Sequence, residues 1–222
     1  RLSASVECAR PTGWPVTRGM VPAVLAITVS LAAGAAFAGL LVAKHRSYDT
    51  AAFDFAFFDQ IVWNTSQGRW FETSFVPYNF AGQHLEPVLL LFAGLYRWWP
   101  NPETMLAVQG AVAGIAGVPL FFAVRRLGGP PSIALIATGA YLLSPHLHGA
   151  VMFDFHPEVM APALLFSGLL LVARGRPSAG AGVAACVVLL KEEAALVLPA
   201  FAAALWVLGC RRHGAVVVAS SA

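Results

Sequence analysis

The chain has 222 residues, of which 58% are hydrophobic and only 11% are charged. Soluble domains carry about 25% charged residues, so this composition excludes an ordinary soluble domain, and its hydrophobicity also excludes a disordered chain. A mean hydropathy of +0.71 is typical of an integral membrane protein. Lys and Arg number 14 and Asp and Glu 11, giving a net charge of +3, but the membrane side on which each charge lies matters more than the sum.

The first predicted element is a membrane span over residues 20–43, an uncharged run long enough to cross about 30 Å of hydrocarbon. Three arginines precede it, which places the N-terminal segment, residues 1–19, in the cytoplasm. A cleaved signal peptide ending near Ala36-Phe37-Ala38 is the alternative, although the apolar core is long for one. Residues 20–222 then form the transmembrane domain. Because a new apolar stretch begins at Ala215, we expect this domain to be incomplete at the C-terminus.

Residues 44–103 form a predicted external loop that is rich in carboxylates and aromatic side chains. Within it, residues 51–66 are apolar but are interrupted by Asp54 and Asp59, which predicts a helix in the membrane interface with its aromatic rings in the headgroup layer. Residues 87–99 form a second apolar run, too short to span the bilayer, so we expect an interfacial or re-entrant helix.

The rest of the chain predicts five further spans and the start of a seventh. The predicted spans are residues 104–124, 132–144, 159–173, 179–190 and 194–209, and the seventh begins at Ala215. On this path the cytoplasmic side holds nine Lys and Arg with one acid, and the outer side holds five Lys and Arg with ten acids. This asymmetry fits the positive-inside tendency. The predicted fold is all-α, a polytopic transmembrane helix bundle in the cytoplasmic membrane.

Four polar clusters interrupt the apolar background, and all four fall on the outer side of this topology. A charged group at membrane depth is costly, so it normally faces a wet cavity and has a function there. The candidate site residues are Asp54, Asp59, Gln60 and Asn64 in the first cluster, His84 and Glu86 in the second, Asp154, His156 and Glu158 in the third, and Lys191 and Glu192 in the fourth.

The first two clusters each have a functional and a structural interpretation. Asp54 and Asp59 suit a general base or metal ligands, but they equally suit the solvated face of an amphipathic helix. His84 and Glu86 lie at the mouth of a helix that Pro87 can start, where they are either functional or a helix cap. Spacing alone does not decide between these interpretations.

The other two clusters leave the same choice open. His146, His148 and His156 with their neighbouring acids suit a divalent metal or a phosphate, although their spacing matches no established zinc motif. Asp154 is placed to orient His156 through a hydrogen bond, and a buried turn is the alternative. Lys191 suits either binding of an anionic phosphate or an ion pair that fixes a helix hairpin.

The chain also carries four motifs in a characteristic order. Asp-Phe-Ala-Phe-Phe-Asp-Gln and Trp-Asn fall in residues 53–64, Asn-Phe with Gly-x-His and Pro in 79–87, Phe-Asp-Phe-His-Pro-Glu in 153–158, and Lys-Glu-Glu in 191–193. In these motifs the chain resembles a family of bacterial polytopic membrane proteins defined by domain of unknown function 2079. Gln83 stands where an acid is frequent in that family, and Glu193 stands for Asp; the first of these departures weakens the case for a metal.

The resemblance implies a GT-C-like fold, that of multispanning glycosyltransferases that use polyprenyl-phosphate sugars at the outer membrane face. It implies that Asp54 or Asp59 is the catalytic base, while Lys191 and His156 offset the charge of the lipid phosphate. The implied partners are membrane lipid and a polyprenyl-phosphate sugar donor, with no nucleic acid and no cofactor other than a divalent metal. The alternatives are a transporter or flippase of lipid-linked or small anionic substrates, and a non-enzymatic membrane protein whose outer histidines bind metal or sense pH.

Overall fold

A computed structural model describes residues 20–210 and His213, and every regular element in this part of the chain is helical. The all-α class is therefore confirmed. The predicted cytoplasmic segment 1–19 and the start of a seventh span at Ala215 lie outside the described residues. The α-helices are α1 Met20–Arg46, α2 Phe57–Ser66, α3 Leu89–Tyr96, α4 Glu103–Ile115, α5 Gly117–Arg126, α6 Pro131–Leu142, α7 Pro145–Met152, α8 Ala161–Ala173, α9 Pro177–Ala185 and α10 Leu198–Val207.

Two of the described helices are long and apolar enough to cross a membrane. One is α1, and the other is the helix Glu103–Arg126, in which α4 and α5 follow each other almost without a break. The first two predicted spans correspond to these helices. The later helices are shorter, the longest apolar stretches being Pro157–Ala173 and Pro177–Leu189. Crossing by these shorter helices, and with it the polytopic GT-C-like arrangement, stays a prediction.

Small residues let α1 and α4 pack backbone to backbone, and this is the most extensive helix contact in the described chain. A Cβ atom on Gly114 would lie 2.1 Å from the Gly34 nitrogen, and one on Gly110 would lie 2.5 Å from the Ala38 nitrogen. Gly110 and Gly114 thus form a Gly-x-x-x-Gly motif, which allows two helices in a membrane to approach closely. The contact fixes the ends of both helices relative to each other.

The helix predicted over residues 51–66 begins as a π-helical turn, Ala52–Ala56, and continues as α2. The expectation that its aromatic rings lie in the headgroup layer is wrong for most of them, because Phe55, Phe57 and Phe58 are buried inside the protein. The ring of Phe58 packs edge to face on Phe155, with centroids 5.5 Å apart. The first loop is therefore part of the core and is held against the later helices.

Helix α7 lies between the predicted spans 132–144 and 159–173, where the sequence pattern predicts no helix. Pro145 occupies the first turn of this helix, a position where its fixed backbone angle favours helix formation. After α7 the chain passes through Asp154, which has a left-handed backbone with φ of 101°. A 3-10 turn, Pro157–Met160, then leads into α8.

Candidate functional site

Polar residues from several segments gather at one end of the bundle, the loop end, where α1 ends and α4 begins. Arg46 closes α1 and forms a bidentate ion pair with Glu103, which opens α4; the Nε–Oε1 and Nη2–Oε2 distances are both 2.7 Å. A base at a helix C-terminus and an acid at a helix N-terminus also complement the two helix dipoles. The pair thus fastens the two ends of the long first loop.

Asp59 is a half-buried carboxylate held by Tyr96 of α3. The Tyr96 hydroxyl donates a 2.8 Å hydrogen bond to Asp59 Oδ1. Burial raises the pKa of Asp59, and this effect outweighs the opposing effects of the Tyr96 hydrogen bond and the nearby His45. Burial also raises the pKa of Tyr96, so its phenol remains a hydrogen-bond donor. A carboxylate with a raised pKa is a better proton acceptor at neutral pH than an ordinary one.

A polar surface cavity of about 330 Å³ opens at the loop end. Its lining residues are His45, Arg46, Tyr48, Thr50 and Glu103. His45 connects this cavity to Asp59, because it lines the cavity and interacts electrostatically with that carboxylate. The volume is at the lower end of the range for small-molecule sites, which is about 300–1,000 Å³.

Asp54, the other predicted catalytic carboxylate, has a different environment. It lies in the π-helical turn before α2, is half-buried, and forms no hydrogen bond or ion pair within the described part of the chain. Asp59 has a positioned partner and a raised pKa, whereas Asp54 has no group that orients it. Of the two, Asp59 has the environment expected of a general base.

Gln60 and Asn64, predicted to bind substrate, hold the segment that follows α2. Gln60 Oε1 accepts hydrogen bonds from Thr73 Oγ1 and from the Ser74 backbone nitrogen, both at 2.7 Å. Asn64 Nδ2 donates to the Glu72 carbonyl at 2.9 Å. Both amides are thus engaged within the first loop, and this gives them a structural role.

The carboxylate of Asp154 is engaged on both oxygens and is only 2% exposed. Oδ1 lies 2.5 Å from Lys44 Nζ, and Oδ2 accepts a 2.8 Å hydrogen bond from the Ala51 nitrogen. The Gln109 side chain reinforces this turn, because it donates to the Asp154 carbonyl and accepts from the His156 nitrogen, both at 2.7 Å. These contacts tie the α7–α8 connection to α1 and α4.

His156 lies among aromatic rings, with ring centroids 6.2 Å from Phe58 and 5.0 Å from Phe153. Its Nδ1 is buried and has no hydrogen-bond partner. The expectation that Asp154 orients this imidazole is wrong, because Lys44 and a backbone amide take up the Asp154 carboxylate. Gln109 instead positions His156 through its backbone nitrogen.

A second polar group, the carboxylate cluster, lies where the chain enters α3. It consists of His84, Glu86, Glu158, Lys191, Glu192 and Glu193. His84 Nδ1 donates to Glu192 Oε1 at 2.7 Å, and the Leu85 nitrogen donates to Glu192 Oε2 at 2.8 Å. Lys191 Nζ lies 3.4 Å from Glu193 Oε2 and 3.8 Å from Glu158 Oε1. The cluster therefore holds four acids and one lysine, and the lysine pairs with two of them.

Glu86 is the most buried member of the carboxylate cluster, with 1% of its surface exposed, and it lies outside both span-length helices. Within the described part of the chain, its Oε2 has no hydrogen-bond partner. Burial and then the neighbouring Glu158 raise the pKa of Glu86 to about 8, while Lys191 acts in the opposite direction. Burial and like charges both favour the protonated acid.

Helix α3 separates the Asp59 region from the carboxylate cluster. Glu86 lies three residues before α3 and Tyr96 ends it, so this eight-residue helix, about 12 Å long at 1.5 Å per residue, lies between them. The rings of Phe92 and Phe155, with centroids 5.2 Å apart, pack in the core along this helix. Of the predicted site residues, the structure brings together His84, Glu86, Glu158, Lys191 and Glu192. The sequence predicted one polar site, whereas the structure contains two, the Asp59 region and the carboxylate cluster.

The sequence pattern did not identify His45, Arg46, Tyr96 or Gln109 as members of these sites. Gln109 carried a usable signal, because an amide in an otherwise apolar span is costly unless it has buried partners. It is fully buried and forms such hydrogen bonds. His45 and Arg46 carried no such signal, since charged and polar residues at the end of a span are common anchors.

Comparison with known proteins places the chain in a family. Neither the curated proteins nor the solved structures contain a significant match. A family model described as "Predicted membrane protein (DUF2079)" matches residues 44–221, which is most of the chain. The matched region contains the Asp59 region, the carboxylate cluster and all four sequence motifs. The chain therefore belongs to the DUF2079 family of predicted membrane proteins.

Proposed function

We propose that this membrane protein is a GT-C-like glycosyltransferase that moves a sugar from a polyprenyl-phosphate donor to an acceptor hydroxyl. The observation that carries the proposal is Asp59, a half-buried carboxylate that Tyr96 holds and that interacts electrostatically with His45 at the wall of a polar cavity. A raised pKa and a fixed orientation are the two properties that a general base needs. The membrane family supports access to a lipid-linked donor.

The proposed reaction is a displacement at the anomeric carbon of the donor sugar. Asp59 takes the proton of the acceptor hydroxyl as the acceptor oxygen bonds to the anomeric carbon. The bond from that carbon to the phosphate oxygen breaks, and its electron pair leaves with the polyprenyl phosphate. Because phosphate is a good leaving group, the step depends mainly on a positioned base and on charge stabilisation. General-base catalysis contributes about 10²–10⁴-fold to such a rate.

We assign the donor phosphate to His45 and Arg46 at the cavity wall. Arg46 uses Nε and Nη2 to bind Glu103, and its Nη1 hydrogens remain for a ligand because a guanidinium has five donors. Lys191 is less suitable than the sequence indicated, because carboxylates of Glu158 and Glu193 lie within 4 Å of its ammonium. Its charge is balanced inside the protein.

The proposal places the loop end at the outer face of the cytoplasmic membrane and the N-terminus in the cytoplasm. The support is the distribution of charge along the helix Glu103–Arg126, which begins with an acid at the loop end and finishes with Arg125 and Arg126. Basic residues are enriched on the cytoplasmic side of membrane proteins. Thiol labelling of single cysteines at Leu85 and Leu127 in intact cells tests this orientation, with only the Leu85 site expected to react with an impermeant reagent.

The transferase proposal is tested with membranes that contain the full chain and with radiolabelled undecaprenyl- or decaprenyl-phosphate sugars. We expect the wild type to transfer label, Asp59→Asn to lower the rate at least 100-fold, and Tyr96→Phe to lower it less. Asp54→Asn is the matched control and is expected to retain activity, because that carboxylate lacks an orienting partner. Transfer by Asp59→Asn at the wild-type rate would remove the proposed base, and no transfer from any donor would remove the function.

One observation favours a second candidate function, transport or flipping of a lipid-linked or small anionic substrate. Between α9 and α10 the chain forms two 3-10 turns, Cys186–Leu189 and Glu192–Val197, and Lys191 between them is extended. Broken helices with charged groups at the break bind substrates in many transporters. Proteoliposomes distinguish the two functions, since translocation of an unaltered substrate supports transport, and sugar transfer without translocation supports the enzyme.

A further inference from the structure

We propose that His84, Glu192 and Glu193 form a binding site for a divalent cation of the Mn²⁺ or Zn²⁺ type, with Glu86 as an additional oxygen ligand. One ligand atom from each of the first three residues lies within 4.8 Å of the other two. Atoms bound to one such ion at about 2.0–2.2 Å are about 3–4 Å apart, so a small side-chain movement completes the coordination. This site lies beyond the start of α3, whereas Tyr96 lies at the end of that helix, about 12 Å long, and the site does not depend on transferase activity.

Glu86 is the independent observation that points to a ligand. Only 1% of Glu86 is exposed, and its Oε2 has no hydrogen-bond partner among the residues that the structure describes. Its carboxylate interacts electrostatically with Glu158, Lys191, Glu192 and Glu193, so it lies within range of the same cluster. Buried polar atoms in native proteins nearly always have a partner, and a cation between these carboxylates supplies one. Glu158 Oε2 is buried without a partner in the same cluster.

The hydrogen bonds around Glu192 prepare it to act as a ligand. The Leu85 nitrogen holds Oε2 at 2.8 Å, which fixes the orientation of the carboxylate. Oε1 faces His84 Nδ1 at 2.7 Å, and the proton in this contact occupies the place of a metal ion.

The charges of the carboxylate cluster favour a cation over an anion. Three of the four acids, Glu86, Glu158 and Glu193, interact with a single ammonium, that of Lys191, which lies 3.4 Å from Glu193 Oε2. Lys191 thus acts as an internal cation that competes for the same oxygen atoms. One imidazole together with carboxylates is a ligand set for Mn²⁺ or Zn²⁺, whereas Ca²⁺ and Mg²⁺ prefer oxygen ligands alone.

The test uses the full chain, purified in detergent, freed of metal with chelator and titrated with MnCl₂ and ZnCl₂. We expect the wild type to bind one ion per chain, and His84→Gln and Glu192→Gln to bind it at least tenfold more weakly. The control is Glu72→Gln, which changes an exposed acid elsewhere and is expected to bind the ion as the wild type does. Melting of each variant in chelator shows whether it is folded, and Glu192→Asp, which keeps a carboxylate, is expected to retain part of the affinity. Absence of micromolar binding by the wild type, or wild-type binding by folded His84→Gln and Glu192→Gln, would overturn the site.

A variant of Lys191 tests the sign of the charge that the site accepts. Lys191→Met removes the competing ammonium, so we expect Mn²⁺ to bind severalfold more tightly than to the wild type. Inorganic phosphate is the opposite probe, and we expect no binding of it to either protein. Phosphate binding by the wild type that is lost in folded Lys191→Met would show an anion site and would overturn the proposal.

Discussion

Lys44 Nζ lies 2.5 Å from Asp154 Oδ1, although the two residues are 110 positions apart in the chain. Their side chains are 18% and 3% exposed, so the pair is largely removed from solvent. Asp154 also accepts a hydrogen bond from the Ala51 nitrogen. One carboxylate thus joins the end of α1, the start of the first loop and the connection that leads to α8.

We expect Lys44→Met to destabilise the protein by about 3–5 kcal/mol, because it leaves the buried Asp154 carboxylate without its counter-charge. Asp154→Asn is expected to be destabilising as well, and the double variant less so than the sum of the two single changes. Unfolding in detergent, followed by circular dichroism, measures all three. Strictly additive losses would show that the two side chains do not interact.

The buried amide of Gln109 provides a second prediction. Gln109→Leu leaves the His156 nitrogen and the Asp154 carbonyl without their hydrogen bonds, and each unpaired group costs about 1–3 kcal/mol. The control is Gln83→Leu, which changes an exposed glutamine and is expected to alter stability little. Thermal unfolding of both variants gives the comparison, and equal melting temperatures would contradict the role of Gln109 as a clamp.

The contact between α1 and α4 makes Gly114 intolerant of a side chain, and Gly139 of α6, outside this contact, serves as the control. Gly114→Ala places a Cβ 2.1 Å from the Gly34 nitrogen, so the helices must separate at a cost of about 1–3 kcal/mol or more. Gly139→Ala in α6 meets no atom within 4 Å and is expected to be neutral or stabilising by up to about 1 kcal/mol. Melting temperatures in detergent test this, and a neutral Gly114→Ala would contradict the close approach.

Glu86 gives a prediction for the pH dependence of stability in chelator-treated protein. Its pKa is about 8 in the folded chain against an ordinary value of 4.5, so the folded state retains a proton that the unfolded state loses. The stabilisation is full below about pH 4.5, decreases through the interval up to about pH 8, and is absent above it.

Glu86→Gln removes this titration. We therefore expect its stability to change less between pH 5 and pH 8 than that of the wild type, by on the order of a few kcal/mol. The groups that interact electrostatically with Glu86 are Glu158, Lys191, Glu192 and Glu193. These groups are common to both proteins, so their own contributions to the pH dependence of stability largely cancel in the comparison. Melting temperatures across this interval measure the difference, and parallel curves for Glu86→Gln and wild type would contradict the raised pKa.

Much of the local structure follows from patterns that neighbouring residues determine. The uncharged run after Arg18 predicted α1, and the apolar stretch ending in Arg125 and Arg126 predicted the second long helix. The predictions of these two helices succeed because helix formation and hydrophobicity are properties of a continuous segment. The pattern does not reveal helix α7, because two polar side chains, His146 and His148, directly follow and interrupt the apolar residues of a proline-initiated turn.

The roles of the polar residues followed no local pattern. The sequence identified the membrane class, the all-α fold, the family and the residues of interest, all of which depend on composition and short motifs. Only the tertiary structure showed that Asp154 pairs with Lys44, that Asp59 is held by Tyr96, and that α3 separates Asp59 from the carboxylate cluster. The reason is physical: the burial and charge balance of a carboxylate depend on groups that chain folding brings from distant positions, and spacing along the sequence does not encode them.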